Sequence, residues 1–157
     1  MLLSPQRVQQ DDPFLYHKTT RRDLYNAERA RCPQVDEVLF CNEAGEVTEG
    51  SIYNLVLRRG GRLLTPALSC GLLPGTLRGE LLERGILSEA VITVEDLLSA
   101  EGLWLINSVR GWRRAVLVGY EALTEYVQRR KQAEIINLFH KVEYDSDYDY
   151  KDQRKKR

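Results

Sequence analysis

Apolar positions along the chain follow two regimes that meet near residue 118. Before it, short apolar runs are cut every few residues by glycine or proline. Residues 37–42, Glu-Val-Leu-Phe-Cys-Asn, predict a strand, followed by a turn at 43–46 in which Gly45 takes positive φ. Residues 53–58 predict a second strand. The turn at 59–62, with Gly60-Gly61, sends the chain back as a third strand over 62–65, which Pro66 closes. Residues 72–75 form an irregular link, and Leu77, Leu81 and Leu82 at helical spacing predict a short helix over 76–84. Residues 91–94 read as a strand. Residues 95–100 read as a helical turn whose Glu95 and Asp96 sit at the N-terminal end that the helix dipole favours. Strands are expected over 103–107 and 114–118.

From Gly119 the texture changes. Residues 121–139 lack glycine and proline, and Leu123, Val127, Ile135, Leu138 and Phe139 mark one face of an amphipathic helix from about residue 120. Residues 142–150 are acidic and tyrosine-rich, and the chain ends on the basic run 154–157. Such a tail cannot build its own core; it is either disordered or a linear motif that orders on a partner. The expected fold is α/β. Residues 1–118 form a twisted, barrel-like and mostly antiparallel sheet with short helices outside, and residues 119–157 form an appended helix and charged tail.

Composition narrows the classes. The 157 residues carry 23 Lys+Arg against 23 Asp+Glu, which suits one globular domain and disfavours a surface built to track phosphates or acidic lipid. No apolar run approaches the ~18 residues of a membrane helix, and the N-terminus reaches Asp11-Asp12 without a secretory apolar core. Cys32, Cys41 and Cys70 form no Cys-x-x-Cys, and His17 and His140 are the only histidines. No metal site is expected, and the setting expected is the reducing cytoplasm.

Three places carry candidate chemistry. Lys18 lies in His17-Lys-Thr-Thr-Arg-Arg22; a single lysine is ordinarily a solvated surface group. Glu49 lies in Glu46-Val-Thr-Glu-Gly-Ser51, where an acid beside a glycine ordinarily serves the turn. In Leu73-Pro-Gly-Thr76, a glycine before a helix leaves backbone N–H groups at a positive dipole end. That is an anion site if it is not simply a threonine cap.

These pieces occur in a recognisable order. Residues 14–22 (Phe-Leu-Tyr-His-Lys-Thr-Thr-Arg-Arg), 36–40, 42–51, Asn54-Leu55, 63–66, 69–76 and 107–112 (Asn-Ser-Val-Arg-Gly-Trp) together resemble the large domain of class IV, fold-type IV pyridoxal-phosphate enzymes. Within that group they look most like aminodeoxychorismate lyases, with class IV transaminases as the close variant. The resemblance implies pyridoxal 5'-phosphate as cofactor. It implies folate-pathway lyase chemistry that yields 4-aminobenzoate and pyruvate from the small-molecule substrate aminodeoxychorismate, or transamination of an amino acid. Lys18 matches the lysine that bonds the cofactor aldehyde and acts as base, and Glu49 the carboxylate that faces the pyridine nitrogen. Asn54 matches a residue supporting the acidic loop. Gly75, Thr76 and Leu77 match the phosphate-holding helix start, and Asn107 and Ser108 the turn that completes the phosphate and substrate side. Arg22 and Arg110 are candidates for substrate carboxylates, a role that bidentate arginine suits, although surface ion pairing explains arginines as well.

The family's smaller N-terminal domain is expected to be absent, since 17 residues precede Lys18. A homodimer partner or another chain would then supply the rest of the pocket, or the chain is an inactive fragment. Residues 115–157 resemble the C-terminal part of a VapB-type antitoxin, which implies a PIN-domain ribonuclease toxin as a possible partner. The DNA-binding front of that family has no counterpart here, so DNA binding is not expected. A chance fusion of two unrelated pieces is the third alternative.

Overall fold

The computed structural model describes residues 1–119; the predicted helix over 120–139 and the tail beyond it lie outside the described residues. Eight strands, β1 (Leu2–Val8), β2 (Val38–Asn42), β3 (Val47–Gly50), β4 (Asn54–Arg59), β5 (Arg62–Pro66), β6 (Ser88–Ala90), β7 (Gly102–Asn107) and β8 (Gly111–Ala115), form one mixed sheet. Three α-helices, α1 (Asp23–Arg31), α2 (Thr76–Glu83) and α3 (Val94–Ser99), and two short 3-10 helices, Pro13–Tyr16 and Leu68–Cys70, complete the described part. Pairings β2/β3, β3/β4, β4/β5, β4/β7 and β7/β8 are antiparallel, while β1/β2 and β5/β6 are parallel. Past β8, the Val118 N–H donates to the Met1 carbonyl (2.8 Å), and Val118 bridges Leu2. This contact joins the two ends of the path β1-β2-β3-β4-β7-β8 and closes it into a ring.

The strand period of two sorts side chains between the inside of that ring and its outside. Leu39, Cys41, Leu55, Leu57, Leu103 and Leu105 meet in one cluster. Their alternates face outward, Val38 and Phe40 against Tyr25 of α1, and Val56 and Ile106 against Leu77 and Leu81 of α2. Tyr25 and Phe40 meet edge to face at 4.7 Å.

One irregularity breaks the alternation and matters for function. Leu39 pairs with Gly50 and Cys41 with Val47, so two steps along β2 oppose three along β3. Val47 belongs to the inner cluster. In a regular strand Glu49 would follow it into that apolar space; the bulge re-aims Glu49 outward, beside its cross-strand partner Asn54.

The predicted elements hold for the strands at 37–42, 53–58, 62–65 and 103–107, for α2 and for the helical turn at 95–100. Gly45, Gly60 and Gly61 have φ of 80°, 57° and 72°, as the turns require. The strand expected at 91–94 is instead a link into α3. The Thr93 hydroxyl accepts the Asp96 N–H while the Asp96 carboxylate accepts the Thr93 N–H, a capping box that starts a helix at Val94. The last strand is Gly111–Ala115 rather than 114–118. No element was expected at β1, where Pro5 interrupts the pattern. The structure places Pro5 in the stretch between the Leu3 and Arg7 pairings, where the register shifts and no ladder N–H is needed.

Candidate functional site

The bulge of β3 gives Glu49 a buried position among polar partners: it is 7% exposed. The Tyr25 hydroxyl donates to its Oε1 (3.1 Å), and Asn54 Nδ2 donates to its Oε2 (3.3 Å) and to the Leu73 carbonyl (2.9 Å). Burial pushes the Glu49 carboxyl up from 4.5 to about 8, against the opposing pull of a Leu73 backbone hydrogen bond, the Tyr25 hydroxyl and the Arg22 charge. Glu49, Tyr25 and Leu73 share a cavity of about 20 Å³ with Phe14, Leu15, His17, Thr19, Arg21 and Arg22. Lys18 is exposed on the irregular segment between two of those wall residues, His17 and Thr19. Arg22 donates to the Ser51 carbonyl, and its Cζ lies 5.1 Å from the Tyr25 ring centre.

The second part of the site is the start of α2. Its N-cap, Gly75, offers no side-chain acceptor, so the N–H groups of the first turn, at Thr76 and Leu77, are left to water or a ligand at the positive end of the dipole. Thr76 is exposed, whereas the Leu77 side chain is buried with Val56 and Leu81. Gly75 has φ of −60°, open to any residue, so conformational freedom is not why glycine is there. A Cβ at this position would overlap Asn54 Oδ1, so the link passes too close to Asn54 for a side chain. Gly75→Ala is therefore expected to displace Asn54 and destabilise the chain by about 1–3 kcal/mol, read as a shifted denaturant midpoint.

The third part is the turn between β7 and β8. Asn107 Nδ2 donates to the Ile52 carbonyl (3.1 Å), and Asn107 Oδ1 accepts the Val109 and Arg110 N–H groups at 3.1 and 2.7 Å. Ser108 is exposed at the tip. Arg110 Nη1 donates to the Tyr53 hydroxyl (3.1 Å) and lines a larger cavity, about 220 Å³, with Tyr53, Arg29, Glu37, Arg113 and Arg114.

The structure thus brings Glu49, Asn54, the Leu73–Gly75 link and the neighbours of Lys18 together. It ties Asn107 to the same loop through Ile52, and it sets Arg110 on a different cavity from Arg22. Two contributors were not singled out from sequence. Tyr25 lies on α1, a helix of mostly charged and small residues without a clear apolar stripe. Glu37 is 1% exposed at the head of β2, and its only signal was an acid directly before a wholly buried strand.

Comparison with known proteins gives a match to the amino-transferase class IV family over residues 1–118. A Schizosaccharomyces pombe protein, provisionally named an aminodeoxychorismate lyase, is 35% identical over 114 residues, 68% of this chain and 49% of that one. A Mesorhizobium loti crystal structure, provisionally named an amino-acid aminotransferase, is 46% identical with a TM-score of 0.71, covering 74% of this chain and 58% of that one. The PLP-form structure of a branched-chain amino acid aminotransferase from Thermobaculum terrenum shares the fold, with a TM-score of 0.63 at 21% identity over 74% of this chain and 41% of that one. The chain spans about half the length of the first of these relatives. Residues 115–118, read above as the start of an antitoxin-like part, fall inside the family match and within or just after β8. The antitoxin-like reading, and with it a ribonuclease partner, finds no support among these relatives.

Proposed function

Since the chain belongs to the amino-transferase class IV family, we propose that it forms the cofactor-holding part of a pyridoxal-phosphate lyase of the aminodeoxychorismate lyase type. The observation that carries this reading is a buried carboxylate, Glu49, lining one cavity with His17 and Thr19, the two neighbours of Lys18. The name of the S. pombe relative favours the lyase; that of the M. loti structure favours a second reading, transamination of an amino acid.

The donor set suits the cofactor. A protonated ring nitrogen suits a carboxylate whose burial outweighs the pull of the Arg22 charge, and the uncapped start of α2 suits a phosphate. When bound, pyridoxal phosphate supplies an aldehyde for an amine and a ring that accepts electron density from a substrate carbon. Lys18 Nζ is assigned the bond to that aldehyde and the holding of a proton taken from substrate. Glu49, kept in place by Tyr25 and Asn54, holds the ring nitrogen in its protonated form. Gly75, Thr76 and Leu77, with Asn107 and Ser108, are assigned the phosphate, and Arg110 a substrate carboxylate. A second copy or a further segment is proposed to complete the pocket.

The room is a separate matter. A cavity of about 20 Å³ holds roughly one water. A pyridine ring needs more room than that, and we assign the opening to Arg22 and the segment around it, which line the cavity. Arg22→Ala is accordingly expected to tighten cofactor binding by about threefold to tenfold. A comparable loss would instead return Arg22 to the role of an anion ligand.

The test of the reading is titration of the chain with pyridoxal phosphate, followed by borohydride reduction and peptide mass mapping. Lys18 is the only lysine before residue 131, so a cofactor label on Lys18 is separable from labels on the tail lysines. The reading fails if Lys18 stays unlabelled. Pyruvate and 4-aminobenzoate from aminodeoxychorismate distinguish the lyase from a transaminase, which needs a 2-oxo acid acceptor.

A further inference from the structure

The sharp turn between β3 and β4 carries Glu49 at one end and Asn54 at the other, and a buried carboxylate outside the proposed chemistry grips its middle. Glu37 Oε1 accepts the N–H groups of Val38 and Ser51, both at 2.8 Å, and the Ser51 hydroxyl; its Oε2 accepts the Ile52 N–H at 3.3 Å. Arg29 lies 3.9 Å from Oε2, and its guanidinium also donates to Ser51 Oγ at 3.2 Å. Gly50 lies so close that a Cβ there would sit 3.1 Å from Glu37 Cγ and Cδ. The crest of the same turn holds the β7–β8 turn, because the Ile52 carbonyl accepts from Asn107.

We infer that Glu37 is a positioning residue: by accepting the Ser51 and Ile52 donors it fixes the turn that aims Glu49 and Asn54 and anchors the Asn107–Arg110 turn. The physical reason is that several donors are buried with one acceptor group. Removing it leaves the buried Ser51 hydroxyl and the Ile52 N–H without this acceptor and the Ser51 N–H with the Val38 carbonyl alone (3.0 Å), and the turn loosens. The acceptor atoms matter here more than the charge. Three of the four donors go to Oε1, which a glutamine carbonyl reproduces.

This inference rests on the cofactor reading for its functional consequence, and the experiment separates the two. Amide hydrogen exchange and pyridoxal-phosphate affinity are measured on wild type, Glu37→Gln, Glu37→Ala and Ser51→Ala. Glu37→Gln, whose carbonyl keeps the three Oε1 bonds but whose NH2 cannot accept the Ile52 N–H, is expected to keep Ser51, Val109 and Arg110 protected, Ile52 excepted, and affinity within about threefold of wild type, while Glu37→Ala weakens protection at Ser51, loses it at Ile52, Val109 and Arg110, and loses about tenfold or more in affinity. The amides of β4 and β7 should stay protected throughout. Should Glu37→Ala unfold, Ser51→Ala decides: lost protection at Ile52 and Val109 with β4 intact supports the inference, and no change overturns it. Full protection and affinity in a folded Glu37→Ala, or Glu37→Gln as damaged as Glu37→Ala, also overturns it. If wild type takes no cofactor, the function proposed above is wrong, and the exchange arms still decide the role of Glu37.

Discussion

Lys18→Ala should leave a folded chain that takes up no visible chromophore from pyridoxal phosphate and retains the cofactor about a hundredfold more weakly than wild type, as measured by equilibrium dialysis. The size of the effect follows from what remains. Without the amine, binding rests on hydrogen bonds to the phosphate and on one ion pair at Glu49, both of which compete with water. The bond to the aldehyde benefits from an amine held beside the site rather than drawn from solution. Folding should be spared, because Lys18 is exposed, and the clusters nearest to it, built on Leu15, Tyr25 and Phe40, do not include it. Retention of the chromophore in Lys18→Ala would move the attachment away from this segment and with it the catalytic assignment.

The candidate site residues named from the sequence lie in short local motifs. Glu49 next to Gly50, and Gly75-Thr76 at a helix start, read by themselves as turn and cap residues, and their assignment comes from the family resemblance of the short blocks around them. What was not legible is the support. Glu37 acts on residues 14 and 15 positions later, and Tyr25 reaches Glu49 across 24. Neither spacing leaves a pattern in the sequence. The β3 bulge is hidden for the same reason. Val47-Thr-Glu-Gly50 reads as a polar turn, and only pairing against Leu39 and Cys41 shows that the extra residue swings Glu49 out of the apolar interior. Gly75 illustrates a further limit: its place in a helix-start motif was plain, but the side chain it must avoid, Asn54, is known only from the fold.

Glu49 also makes the stability of the cofactor-free chain depend on pH in a direction opposite to that of an ordinary paired carboxylate. Its carboxyl is raised from 4.5 to about 8, mainly by burial, so between those values the folded chain keeps a proton that the unfolded chain has lost. Unfolding then releases a proton, and stability falls as pH rises through this window, by at most about 1.4 kcal/mol per pH unit. Glu89 and Asp96 work the other way. The Arg78 and Leu68 hydrogen bonds hold Glu89 below its ordinary 4.5, and the Thr93 and Arg59 contacts hold Asp96 below 3.8, both against the opposing effect of burial. Their stabilisation is lost only as pH falls below those ordinary values, outside the window. Burial also holds the Met1 amine below its ordinary 8.0, which makes stability rise with pH in the same window, but it does so equally in wild type and Glu49→Gln. Urea unfolding at pH 5 and pH 8 should therefore show wild type losing about 2–4 kcal/mol at pH 8 relative to Glu49→Gln, whose amide cannot ionise. Saturating pyridoxal phosphate should cancel the wild-type loss at pH 8, because a cationic ring nitrogen beside the carboxylate stabilises the ionised form in the folded state alone. Equal slopes in wild type and Glu49→Gln would mean that the carboxylate is hydrated rather than sealed beneath Tyr25 and Leu73, and the cavity would then be open to solvent at its base.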